Sequence, residues 1–317
     1  MDKLRIRGGR ELEGTVRIAG AKNAALPALA AALLTEGEVE FSNVPMLRDV
    51  RTMLRVLEHH GARVENGSRD RIKVQAGTIG SHEAPYDLVK TMRASVLVLG
   101  PLLARCGRAR VSMPGGCAIG ERPIDVHLEA LASMGAEVHL EHGYVEARAD
   151  RLKPADYTFP LVTVTGTENL MMAAALTPGT SVFRNCAREP EVTDLAVLLR
   201  AMGADVSGDG TDVIRIAGRK ELGGGVHPVI PDRVEAGTYL MAGALACRRL
   251  TVADCRPEDL QPVLNLLEAT GVPLAVGESS VVVQRPDRLV AADMTTAPHP
   301  GFPTDMQAQY MALATQA

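Results

Sequence analysis

The chain has 317 residues, 46% apolar and 23% charged, with a formal net charge of −4. That is the balance of a globular protein of about two domains, and it lacks the basic stripe that nucleic-acid binding needs. With no Trp, four Phe and five Tyr, the core must be built from Leu, Val, Ile, Ala and Met.

Residues 1–5 have no apolar run, so no secretory leader is expected. The longest apolar stretch, 24–34, is 11 residues broken by Pro27, far below the roughly 18 that span a bilayer. A cytoplasmic protein is expected, with no membrane or nucleic-acid partner. Five scattered cysteines (106, 117, 186, 247, 255) include no CxxC pair, and eight histidines show no HExxH spacing. A disulfide framework and a metal site therefore have no support.

Along the chain, a short strand at 4–6 is a candidate to pair with the later part of the sequence. One pattern then recurs: an Ala/Leu/Met-rich helix, a β-rich stretch, a second helix, and Gly followed by a short strand. The first copy has its segments at 29–34, 39–44, 50–60 and 61–64, the second at 96–106, 109–111, 125–134 and 135–138. The third follows at 170–176, 180–184, 192–202 and 203–206, the fourth at 239–247, 250–252, 259–270 and 271–274. Apolar residues at i, i+3 and i+4, such as Met53, Val56 and Leu57, mark the helices. The glycines at 61, 135, 203 and 271 suit helix C-caps of positive φ. A fifth copy starts at 305, and the chain ends inside its helix. There Met306, Tyr310, Met311 and Leu313 are expected to form an uncovered apolar face, leaving 231–317 loosely packed. The triple glycine at 223–225 is the best candidate for a domain boundary.

Three segments carry candidate chemistry. In 18–27, Lys22 and Asn23 stand just after Gly20 at a helix entry, where free N–H groups and the helix dipole favour an anion; a solvated Lys in a turn is the alternative. In 112–127, Cys117 lies among Gly115, Gly116 and Gly120, with Arg122 near enough to depress a thiol pKa. The other four cysteines read as buried small hydrophobes. In 302–307, Asp305 opens a helix after a Pro-rich loop, where capping is the usual job for Asp.

Together these segments resemble the enolpyruvyl transferase family, and within it the carboxyvinyltransferases that act on UDP-N-acetylglucosamine. The match is collinear over the whole chain and extends to 86–95, 187–191, 231–238 and 296–299. The resemblance implies an α/β fold, a two-domain inside-out α/β barrel built from repeated β-α-β-α-β-type modules. One domain would be 22–230; the other would join 1–21 to 231–317, incomplete in its second repeat. Six such repeats would need about 420 residues, so turnover by a chain ending at 317 is in question. An inactive truncated paralogue that only binds a UDP-sugar is the alternative.

The implied reaction moves the enolpyruvyl group of phosphoenolpyruvate to the 3-hydroxyl of UDP-N-acetylglucosamine and releases phosphate. It is the first committed step of peptidoglycan synthesis, hence of cell-wall biogenesis, cell shape and division, and needs no cofactor. By the same resemblance Lys22, Asn23 and Arg122 contact phosphoenolpyruvate, Cys117 is the proton donor alkylated by fosfomycin, and Asp305 is the base. Arg93, the run Arg122, Pro123, Ile124, Asp125 and Val126, the run Val162, Thr163 and Val164, and Asp305 bind the UDP-sugar. Domain closure over the Cys117 loop would exclude water. The sister enzyme that makes enolpyruvylshikimate phosphate lacks the Gly-Gly-Cys loop.

Overall fold

The computed structural model describes residues 3, 5–67, 70–90, 92–113 and 124–317, with Arg93 described for its backbone alone. The chain divides into two compact units, Gly20–Ile230 and a second that joins Met1–Ala19 to Pro231–Ala317. Strand β1 (Leu12–Arg17) belongs to the second unit. It lies beyond the strand expected at 4–6; residues 5 and 6 have no strand partner.

Gly20–Ile230 contains three modules. The first is α1 (Lys22–Ala31), β2 (Glu38–Ser42), α2 (Arg48–His59), β3 (Arg63–Asn66) and β4 (Ile72–Gln75). A short β5 (Glu83–Ala84) and α3 (Tyr86–Val89) lead into the second: α4 (Leu99–Cys106), β6 (Arg108–Ser112), α5 (Asp125–Ser133), β7 (Glu137–Glu141) and β8 (Tyr144–Arg148). After β9 (Asp156–Thr158) the third has α6 (Val164–Ala175), β10 (Gly179–Arg184), α7 (Pro190–Ala201), β11 (Asp205–Ser207) and β12 (Val213–Gly218), and β13 (Gly225–Pro228) closes the unit.

The modules share one sheet plan. The first strand of each lies antiparallel to its last, which pairs with the middle one, and an outside strand joins in parallel. That outside strand always comes from elsewhere in the ring. β5 follows module one and joins the sheet of module two; β9 passes from module two to three; β13 passes from module three back to one. The three sheets are thus linked in a cycle without merging into one hydrogen-bonded barrel.

The inside-out arrangement follows from patterning. β2 and β4 alternate, burying Val39, Phe41, Ile72 and Val74 inward, while outward Lys73 pairs with Glu38 at 2.7 Å. The residues of α1 from Ala24 to Ala31 are buried on every side, as a helix apolar all round must be, and those of α6 from Gly166 to Ala175 are buried too, with Thr167, Glu168 and Asn169 among them. Helices fill the centre and sheets face water.

Repeated turns end the repeated elements. Gly61, Gly135, Gly203 and Gly271 have φ of 100°, 88°, 101° and 80°, the C-cap geometry that a side chain resists. Asn43 and Asn185 are also left-handed, after β2 and β10. Each donates its side-chain amide at 2.9 Å to a carbonyl just past the parallel strand, of Val229 and Phe159 respectively. The triple glycine is no boundary: Gly223 to Gly225 lie inside the first unit. A Cβ on Gly224 would sit 2.2 Å from the Glu38 carbonyl oxygen, so glycine there serves a close backbone approach.

The second unit continues with α8 (Arg233–Ala246), β14 (Cys247–Ala253), α9 (Gln261–Ala269), β15 (Leu274–Val276), β16 (Ser280–Val283) and α10 (Gln307–Ala314). Its sheet repeats the same plan, with β1 as the parallel outside strand on β14. The expected loose packing is not found. Met306, Tyr310 and Leu313 are 1%, 5% and 1% exposed; only Met311, at 60%, faces out. Met306 seats over Gly237 of α8, where a Cβ would meet its terminal methyl. Phe302 meets the Tyr310 ring edge-on at 6.1 Å. Among the described residues no helix is long and apolar enough to cross a membrane.

Candidate functional site

Lys22 is the first residue of α1. Its position is set by Gly20, whose hydrogen faces the Asn43 carbonyl so closely that a Cβ would fall 1.8 Å from the oxygen, and by the Ala21 amide donating to the Ile230 carbonyl at 2.7 Å. Ala21 caps the helix without a side-chain acceptor, and the first turn has no acid. The N-terminal end of α1 therefore keeps its positive partial charge. The Lys22 ammonium lies 3.5 Å from Asp49 in the first turn of α2, both partly exposed. Such a partly exposed pair is worth only about 0–1 kcal/mol. Asn23 is exposed beside it.

A second group of helix starts meets between α5 and α6. Ile124 precedes α5, and its carbonyl accepts the amides of His127 at 2.8 Å and Leu128 at 3.2 Å. Asp125 is exposed and Val126 buried. Thr163 caps α6 by accepting the Gly166 amide at 3.2 Å. Gly166 has to be glycine for that, since a Cβ would reach 2.4 Å from the Thr163 methyl. Val162 and Val164 flank this cap, Val162 being 36% exposed. His127 joins the two starts, with Nε2 3.2 Å from Thr165 Oγ1 and Nδ1 3.2 Å from Asn169 Nδ2. The Thr167 hydroxyl donates to the Thr163 carbonyl at 2.7 Å and accepts the Ala187 amide at 3.1 Å, tying in the approach to α7.

Cys117, Arg122 and Pro123 lie outside the described residues, as does the Arg93 side chain; the Arg93 backbone opens a 3-10 turn, Arg93–Val98. The four described cysteines are free. Burial pushes every one of their thiols up, that of Cys186 to about 12.

In the second unit Asp305 is exposed in the 3-10 turn Thr304–Met306. The capping alternative fails, because neither this turn nor α10 has a side-chain cap. The turn is held from both sides. Thr296 bridges Phe302 in front of it, while behind it the Gln309 amide donates to Thr238 Oγ1 at 3.0 Å. The 231–238 segment thus supports the Asp305 turn. Asp232 caps α8 through the amides of Val234 and Glu235, Gly237 makes room for Met306, and Thr238 receives Gln309.

The EPSP synthase (3-phosphoshikimate 1-carboxyvinyltransferase) family model matches residues 6–317. A UDP-N-acetylglucosamine 1-carboxyvinyltransferase of Acidobacterium capsulatum is 56% identical over 321 residues, covering 100% of this chain and 74% of that protein. One from Anaeromyxobacter dehalogenans is also 56% identical, covering 99% and 75%. The chain belongs to the enolpyruvyl transferase family. Among solved structures, the enolpyruvyl transferase NikO from Streptomyces tendae superposes with a TM-score of 0.89 at 26% identity, over 98% of this chain and 74% of that one. The EPSP synthase of Acinetobacter baumannii shares the fold, with a TM-score of 0.71 at 19% identity over 91% of this chain and 68% of its own.

Sequence reading of this enolpyruvyl transferase missed a set of buried polar residues behind the helix starts. Glu168, 1% exposed, has its carboxyl held well above the usual carboxylate range, first by burial and then by Glu191, Glu189 and Asp194. Asp194 meets His227 at 2.9 Å, both buried. The available signal was the polar run Thr167, Glu168 and Asn169 just ahead of the apolar stretch Leu170–Ala175 of the same helix.

Proposed function

We propose that this chain transfers the enolpyruvyl group of phosphoenolpyruvate to the 3-hydroxyl of UDP-N-acetylglucosamine and releases phosphate, in the cytoplasm, at the entry to peptidoglycan synthesis. The observation that carries the reading is 56% identity, over the whole of this chain, to proteins bearing that carboxyvinyltransferase name. The 19% likeness to EPSP synthase speaks for fold alone.

In this reading the sugar 3-oxygen bonds to C2 of phosphoenolpyruvate while a proton goes to C3, giving a tetrahedral intermediate. Loss of phosphate and of one C3 proton then leaves the enol ether. Lys22 and Asn23, at the uncapped start of α1, hold phosphoenolpyruvate together with Arg122. Cys117 supplies the C3 proton; a thiol near its ordinary pKa of ~8.5 can be tuned toward neutrality for such work. Asp305 takes or orients the proton of the 3-hydroxyl, a role its exposure permits. Arg93, Arg122, Pro123, Ile124, Asp125 and Val126 bind the UDP-sugar, with Val162, Thr163 and Val164 beside the nucleotide and Asp305 at the sugar. The unit Gly20–Ile230 carries all of these except Asp305, which belongs to the second unit.

The test is to incubate the chain with both substrates and assay phosphate. Release that requires both is expected. Release from phosphoenolpyruvate alone, or none with both present, contradicts the reading.

A further inference from the structure

We infer that His127 is a positioning residue of the nucleotide-sugar subsite, setting the turn at 124–126 against the Thr163 cap of α6 without touching the ligand itself. The inference rests on the functional reading above and adds to it a residue outside the expected binding runs.

The ring's hydrogen bonding has one solution. Asn169 Oδ1 accepts the Gly100 amide at 2.7 Å, which orients the side chain so that Nδ2 points at both the Val96 carbonyl, 2.8 Å away, and His127 Nδ1. An amide nitrogen only donates, so Nδ1 must be the acceptor. The ring proton is then on Nε2 and goes to Thr165 Oγ1. Both nitrogens are used, and the residue is 4% exposed. Burial alone pulls its pKa down to about 4, so the ring is neutral and cannot serve as a cation for a diphosphate.

Removing the ring would leave the Asn169 amide one acceptor short and the Thr165 hydroxyl one donor short, a cost to stability, so ligand affinity in folded variants is the readout that separates positioning from packing. A satisfied buried network does fix geometry. Ile124 lies one helical turn ahead of His127, joined to it by the 2.8 Å backbone bond. Thr165 lies two residues past the cap at Thr163. Asn169 extends the tie to the 3-10 turn Arg93–Val98 and to α4. One ring therefore links three of the segments expected to hold the UDP-sugar.

The experiment is calorimetry of the chain, His127→Phe and Thr165→Val with UDP-N-acetylglucosamine and with phosphoenolpyruvate, each variant first checked for folding by circular dichroism. Thr165→Val keeps shape at a partly exposed position and guards against a His127→Phe variant that does not fold. Both are expected to bind UDP-N-acetylglucosamine about ten- to a hundredfold more weakly, the worth of one charge-assisted hydrogen bond pulled out of line. Phosphoenolpyruvate affinity should stay within about twofold. Folded variants that bind the UDP-sugar as the parent does, or that lose both ligands equally, overturn the inference alone. A parent chain that binds no UDP-N-acetylglucosamine overturns the functional reading, and this inference with it.

Discussion

Gly100→Ala tests the helix packing that underlies the site. A Cβ on Gly100 would lie 2.4 Å from the Asn169 carbonyl oxygen and 2.5 Å from its Oδ1. The carbonyl is helix backbone and cannot swing aside, so α4 and α6 must part by about 1 Å to reach ordinary contact. Overpacking of this kind costs about 1–3 kcal/mol. The parting also breaks the 2.7 Å bond from the Gly100 amide to Oδ1, leaving a buried donor unpaired at about 1–3 kcal/mol. Better helix propensity returns about 1 kcal/mol. The net loss is about 1–5 kcal/mol, centred near 3, or about 6–12 °C in Tm at roughly 2–4 °C per kcal/mol. Thermal melts followed by circular dichroism read this directly, with Gly77→Ala as the control because nothing lies within 4 Å of its Cβ position. A Gly100→Ala melt within about 2 °C of the parent would refute the packing argument.

Acid should destabilise the fold in a defined window. Burial lowers the rings of His60 and His127 to about 4, so the unfolded chain takes up their protons first. Their contribution is whole above about pH 6.5 and is lost as pH falls toward about 4, up to about 3 kcal/mol each. Urea midpoints across that range should fall, less steeply in His127→Phe; a flat profile contradicts the assignment. Glu168 acts in the opposite sense, since its raised pKa gives stability present at low pH and lost as pH rises. Fosfomycin with UDP-N-acetylglucosamine present should modify Cys117, because burial keeps the other four thiols protonated; peptide mapping that places the adduct mainly at 106, 186, 247 or 255 contradicts this. Lys22→Ala should weaken phosphoenolpyruvate binding about ten- to a hundredfold, the worth of a charge-assisted contact of ~1.5–3 kcal/mol. Unchanged capture by calorimetry rules the role out.

The modules were legible because their signals are local. Helix periodicity shows within one turn, and Gly61, Gly135, Gly203 and Gly271 each mark a cap that side chains resist. Lys22 at a helix start was readable for the same reason. Long-range features were not. The ring of sheets is closed by β5, β9 and β13, of two, three and four residues, too short to show alternation. Gly223–Gly225 reads as a linker until the Glu38 backbone is seen against Gly224. The face of α10 looked uncovered because its cover, α8, lies some seventy residues earlier and receives Met306 only through a missing side chain at Gly237. His127 is one polar residue on an apolar helix face, and nothing near it in sequence announces Thr165 or Asn169.

Acceptor choice separates enolpyruvyl transfer to a UDP-sugar from transfer to shikimate 3-phosphate. The chain is given phosphoenolpyruvate with equimolar UDP-N-acetylglucosamine and shikimate 3-phosphate in one tube, and mass spectrometry reads which acceptor gains the enolpyruvyl group. UDP-N-acetylglucosamine alone should be modified, with one phosphate released per product. Enolpyruvyl transfer to shikimate 3-phosphate, or to neither acceptor, would contradict the proposed function.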